Sequence, residues 1–138
     1  MRYKLSENIL FIKFDDGEDF LKSVCAALEE AGIDVGVILS CVGMFRNTKV
    51  AFFKEEYVGR MLPDPMEIVS MEGNIALGED NKPLPHIHVC LADGSMNVHG
   101  GHLIEATVHI RAELIVLILR GLKLLRRKTD LGMELQLG

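Results

Sequence analysis

All five histidines of the chain fall between positions 86 and 109: His86, His88, His99, His102 and His109. His86-Ile87-His88 lies in a strand-like run, where residues two apart point to the same face with Cα atoms about 6.5–7 Å apart. Two imidazole nitrogens at that spacing can converge on one ion at about 2.0–2.1 Å each. His99-Gly100-Gly101-His102 adds two glycines, which permit positive φ and close backbone approach, as in a tight turn that aims a side chain at a shared point. A three-histidine site with an open position suits Zn²⁺, and neutral imidazole also accepts nickel, copper or iron. Same-face histidines in a sheet also hydrogen-bond backbone carbonyls, so spacing alone leaves a metal site and structural imidazoles both open. His109 stands in an alternating run away from the glycines and reads as an ordinary strand residue; His99 is intermediate.

Other side chains could serve such a site. Glu67 opens a strand candidate and Asp93 follows the His-x-His run, so either could orient a ligand imidazole; Asp93 reads more simply as a surface carboxylate. Cys90 lies two residues after His88 and could offer sulfur, although a buried cysteine ordinarily acts as a small hydrophobe. Ser40, Ser70 and Ser95 lack the context of a nucleophile elbow.

The elements that must position these residues can be read from periodicity. Between Asp19 and Ala31, Phe20, Val24, Ala27, Leu28 and Ala31 recur at spacings of three and four, which predicts one amphipathic helix. Carboxylates from Asp15 to Asp19 can cap its start, and Gly32 stops it. Residues 8–14 are apolar and aromatic, and Ile33 to Val42, Lys49 to Lys54, Glu67 to Leu77, His86 to Ala92, Ala106 to Ile110 and Leu114 to Leu119 read as strands between Gly, Pro, Asp and Asn breakers. One helix and many strands make an α+β protein, and connections as short as Asp93-Gly94 favour antiparallel pairing. Neither glycine fingerprint of the nucleotide-binding α/β folds is present.

Composition bounds the rest. The 138 residues are 49% hydrophobic, 25% charged and 6% aromatic, with no Trp and a net charge of −5. That length fits one domain, residues 1–138, and the balance excludes disorder, collagen-like repeats and a disulfide scaffold. A mean hydropathy of +0.22 at ordinary charge content is high for one small core, which points to burial between subunits. Cys25, Cys41 and Cys90 are odd in number and far apart, as expected in a reduced cytoplasmic compartment. The N-terminus turns acidic before any signal-like stretch, and the longest apolar run, Leu114 to Leu119, is far short of the roughly 20 residues that cross a bilayer. The expected protein is soluble, with no membrane partner. Residues 111–128 are basic, carrying Arg111, Arg120, Lys123, Arg126, Arg127 and Lys128 against Glu113. This segment could meet phosphates, but it is interleaved with leucines in an acidic chain, so a solvated edge or intersubunit ion pairing is the simpler use.

Three blocks in order resemble the PPC domain, named for its occurrence in plants and prokaryotes, over nearly the whole chain. They are Ile38-Leu39-Ser40-Cys41-Val42-Gly43; Glu67-Ile68-Val69-Ser70-Met71-Glu72-Gly73-Asn74-Ile75; and Pro85-His86-Ile87-His88-Val89-Cys90-Leu91-Ala92-Asp93-Gly94 followed by Gly100-Gly101-His102-Leu103. The resemblance implies a sandwich-like α+β domain, mainly an antiparallel sheet with a packed helix, assembled as a homotrimer. It implies that His86, His88 and His102 occupy the positions that hold zinc near the subunit interface in some prokaryotic members. Plant members join the domain to a DNA-binding AT-hook, and prokaryotic members are often described as DNA-binding by association. This chain carries no AT-hook, and it has Asp64-Pro65-Met66 where plant members have Gly-Arg-Phe. Ala106 replaces a glycine of many members.

Two classes of function follow. The first is a homotrimeric binding or regulatory module with a histidine-held metal and a DNA or protein partner. The alternative is a zinc-dependent enzyme on a small substrate, with Glu67 as candidate general base. Direct DNA binding through Arg120 to Lys128 ranks third.

Overall fold

The computed structural model describes residues 1–138 and contains one helix and nine strands. In chain order these are β1 (Arg2–Ser6), β2 (Ile9–Asp15), α1 (Phe20–Ala31), β3 (Gly36–Lys54), β4 (Glu56–Leu62), β5 (Met66–Leu77), β6 (Pro83–Ala92), β7 (Val98–Ile118), β8 (Leu124–Thr129) and β9 (Gly132–Leu137). The expected α+β class, with a mainly antiparallel sheet and one packed helix, is the one observed. No helix is long and apolar enough to cross a membrane.

The two longest strands organise the rest. β3 pairs with both β7 and β5, and β6 pairs with both β5 and β7, so four strands close on themselves. β2 lies against the outer flank of β7 and β1 against β2. β4 folds back on β3, and the β8–β9 hairpin hangs from β5 through a parallel pairing at Leu77 and Leu125. Inward residues form one cluster that includes Leu10, Ile75, Leu91 and Leu114, each fully buried. Helix α1 closes it with Phe20, Val24, Ala27 and Leu28, and the Phe20 ring packs 4.9 Å from Phe14 and 4.7 Å from Phe45.

The helix ends as its sequence predicts. Asp19 accepts from the Lys22 backbone N–H at 3.1 Å, and Gly32 takes the left-handed conformation at φ 66°. Asp19→Ala is expected to cost about 1 kcal/mol, read as a lower urea midpoint at unchanged slope.

Strand boundaries differ from expectation in one consistent way. Ile33 to Val42 and Lys49 to Lys54 belong largely to a single strand, β3, and the candidates at 106–110 and 114–119 belong to β7. The residues that resemble breakers are bulges: register shifts fall at Ile38/Ser40, Gly43/Met44 and Arg46/Lys49, with Gly43 at φ 128° and Asn47 at φ 48°. Ile110 also sits at φ 63°, and its N–H is held by Asp16 Oδ1 at 2.7 Å. Strands β1, β4, β8 and β9 were not among the expected elements. The side chains of β1, β4 and β9 are mostly exposed, so they lack the alternation that marks a half-buried strand, and β8 is half-buried with an arginine at its one buried position.

Candidate metal centre

The β6 strand buries Ile87, Val89 and Leu91 in the core, which turns His86, His88 and Cys90 to the opposite face. Antiparallel pairing then sets their neighbours. His88 stands directly across from His102 on β7, while Asn74, Glu72 and Ser70 of β5 stand across from His86, His88 and Cys90. Ligand nitrogens of His86, His88 and His102 all lie within 4.8 Å of one another. The ring centroids of His86 and His102 are 4.9 Å apart, and Tyr57 of β4 packs its ring 4.9 Å from His102. The cleft above them has a volume of 690 Å³ and is walled by Phe52, Phe53 and Tyr57.

The glycines between His99 and His102 do not form the expected tight turn. Both lie within β7 and neither has positive φ. Their use is close approach: a Cβ on Gly100 would stand 2.6 Å from the Val89 carbonyl oxygen, and one on Gly101 would stand 2.9 Å from that of Ala51. The absence of side chains there lets β7 press against β6 and β3, which brings His102 to His88. The turn is instead Asp93–Asn97, where Asp93 Oδ1 accepts from Ser95 and Asn97 N–H at 2.9 and 3.0 Å.

The other candidates lie elsewhere. His99 donates to Asp93 Oδ2 at 2.8 Å, so that pair braces the turn and neither residue orients a cluster imidazole. His109 Nδ1 receives Arg46 Nη1 at 2.8 Å, and Arg46 also grips Asp16 at 2.6 Å, which holds the Asp16 carboxyl below its ordinary range. Glu67 pairs with Ala92, four residues along β6 from His88, and lines a separate cleft with His109 and Arg111. At about 3.3 Å per residue that displacement is roughly 13 Å, too far for Glu67 to act as a base at the histidines. The carboxylate sharing the histidine cleft is Glu72, which the sequence reading did not single out. Cys90 faces the cleft but is not part of the convergent group.

A metal fits the three imidazoles on two observations. His86 Nε2 and His102 Nδ1 are buried without a hydrogen-bond partner, a state that costs about 1–3 kcal/mol per group when left unmet. Structural histidines would spend those nitrogens on backbone carbonyls, and these do not. Two of the rings, those of His86 and His102, are also held toward the neutral form, the one that ligates. Burial, then Arg126 and the neighbouring imidazoles, pushes His86 down to about 4, and burial with His88 and Arg126 lowers His102. Arg126 corrects the first half of the expectation of a solvated edge or intersubunit ion pairing: it is buried at 4% exposure and donates to Asn74 Oδ1. Arg120 is likewise engaged, with Asn8 Oδ1 and the Glu7 carbonyl, both at 3.1 Å.

A closed antiparallel structure with one packed helix and a triad of imidazoles on its outer face defines a small β-rich class of protein. The chain belongs to the Plants and Prokaryotes Conserved (PCC) domain family, also written PPC, whose profile matches residues 1–120. It is similar to a plant- and prokaryote-conserved (PPC) protein of Pyrococcus horikoshii, at 28% identity and TM-score 0.86, with 99% of this chain and 96% of that one covered. A metal-containing protein of Archaeoglobus fulgidus is 33% identical with TM-score 0.85, covering 99% of this chain and 97% of the other. A candidate DNA-binding protein of Bacteroides thetaiotaomicron shares the fold at TM-score 0.89 and 23% identity, over 99% of this chain and 96% of that one. No curated protein matches the chain.

Proposed function

We propose that this chain is a homotrimeric PCC module that holds zinc on His86, His88 and His102 and has a binding or regulatory role connected with DNA or transcription in the cytoplasm. The observation that carries the reading is the pair of buried, unpartnered nitrogens, His86 Nε2 and His102 Nδ1, beside the imidazole of His88. The metal-containing relative supports the ion, and the candidate DNA-binding neighbour supports the role. Self-association is supported by apolar side chains left exposed on the strands, among them Leu39, Val42, Phe52, Val58 and Val69. The three free cysteines suit a reducing compartment.

The test is elemental analysis and light scattering on protein purified without a histidine tag. Zinc near one per chain and a mass three times the 15.4 kDa chain are expected. Metal-free parent protein would overturn the metal reading, and a monomer would overturn the trimer. With Arg126 buried and Arg120 engaged, DNA association falls to a partner rather than to direct contact by Arg120 to Lys128. Retention on duplex DNA that weakens steeply with salt would reverse that assignment.

One observation favours the enzyme reading: Glu72 stands across from His88 in the same cleft, where a general base is needed. A bound metal would supply Lewis acidity there. Turnover of small esters or phosphate esters by the parent, lost in Glu72→Gln at unchanged metal content, would move the chain to that reading.

A further inference from the structure

Arg126 is a buried cation with no anion beside it. It is 4% exposed, one guanidinium nitrogen donates to Asn74 Oδ1, and its Nε is buried without an acceptor. No Asp or Glu forms an ion pair with it, including Glu72, the carboxylate of the neighbouring cleft. An isolated buried charge is among the most expensive features a fold can carry, and guanidinium cannot escape the cost by releasing its proton. Asn74, which holds it, stands directly across from His86. The cation is therefore set beside the histidine cleft, on the β8–β9 hairpin beyond the stretch matched by the family.

We propose that the histidine cleft takes a small organic oxyanion, a carboxylate or phosphate ester, whose charge is met by Arg126. This rests on the reading of the site as a metal centre, since three neutral imidazoles around a divalent ion add no negative charge to balance Arg126. The planar fork of guanidinium matches either oxyanion. Phe52, Phe53 and Tyr57 wall the cleft, and its 690 Å³ has room for an apolar body attached to the anionic group. Asn74 serves as a positioning residue, fixing the guanidinium on the histidine side of the hairpin.

Calorimetric titration of tagless protein with inorganic phosphate and with benzoate, in chloride of matched ionic strength, tests the proposal, with metal content measured on the same samples. Saturable binding of at least one probe is expected, weakened tenfold or more in Arg126→Met and several-fold in Arg126→Lys, at unchanged zinc content. Arg126→Lys keeps the charge and serves if the methionine variant does not fold. A parent that binds neither probe, as it would if a carboxylate from a second copy already met Arg126, overturns the proposal. Equal affinities in parent and variants overturn it as well. Metal-loaded protein that ignores both probes removes this inference and leaves the zinc reading. Metal-free protein with Arg126-dependent binding removes the zinc reading and leaves this one.

Discussion

Replacing His88 by alanine is expected to abolish the metal binding proposed for the triad while leaving the fold in place. His88 is the exposed member of the triad, and its side chain contributes nothing to the core that Ile87, Val89 and Leu91 build from the other face of the same strand. Zinc content should fall from near one per chain to below a tenth. Stability should fall with it, because an ion present at about a thousand times its dissociation constant stabilises the folded state by about 4 kcal/mol. For a chain of this size that corresponds to a drop in melting temperature on the order of 10 °C. A chelator should take the parent to the same temperature and should leave the His88→Ala protein unmoved. Parent and variant responding alike to chelator would show that the imidazoles hold no ion.

Gly73→Ala should have a still wider effect. An alanine Cβ at this position would stand 2.2 Å from the His86 carbonyl oxygen and 3.1 Å from the Ile87 Cα, both backbone atoms that a side-chain rotation cannot clear. Gly73 pairs with Ile87, so the clash falls between the two histidines of β6 and forces β5 and β6 apart along their shared ladder. We expect a loss of about 3 kcal/mol or more in urea unfolding, together with reduced zinc content although every histidine is retained. Gly94→Ala is the control, since nothing lies within 4 Å of a Cβ there. Equal stability of the two variants would mean that the β5–β6 spacing is not fixed by Gly73.

The sequence carried the local features of the fold well and the long-range ones poorly. The helix was legible because Phe20, Val24, Ala27 and Leu28 bury one stripe and Asp19 and Gly32 mark its ends. The continuity of β3 and β7 was not, because bulges at Gly43 and Asn47 have the same residue types as a chain break and differ only in what pairs on either side, while the one at Ile110 falls on a strand-forming residue that gives no signal. At the site, the two-residue period placed His86 and His88 on one face, whereas the choice of His102 came with the family resemblance, because the glycines before it serve close approach and not the expected turn. The carboxylate did not follow. Period-two counting within β5 cannot rank Glu67 against Glu72, because the answer lies in the register with β6 and in its shift between Ile68 and Ser70. Arg126 was illegible for a related reason. A leucine-interleaved basic segment reads as surface, and only the hairpin's placement against β5 reveals a buried guanidinium.

The turn at Asp93–Asn97 also bears on the order in which the chain assembles. His88 and His102 face each other across the hairpin it closes, with the His99–Asp93 bond bracing its base. Closing so short a loop costs little chain entropy, whereas the pairing of β3 with β7 must join segments far apart in sequence. The imidazole pair therefore belongs to the fast, local part of folding, whereas the aromatic wall, carried on the β3–β4 hairpin, reaches it only when β3 pairs with β7 in the slow part. Ion capture and cleft formation are thus separable in time, and a stopped-flow refolding experiment with and without zinc should find the metal accelerating hairpin formation before the core closes.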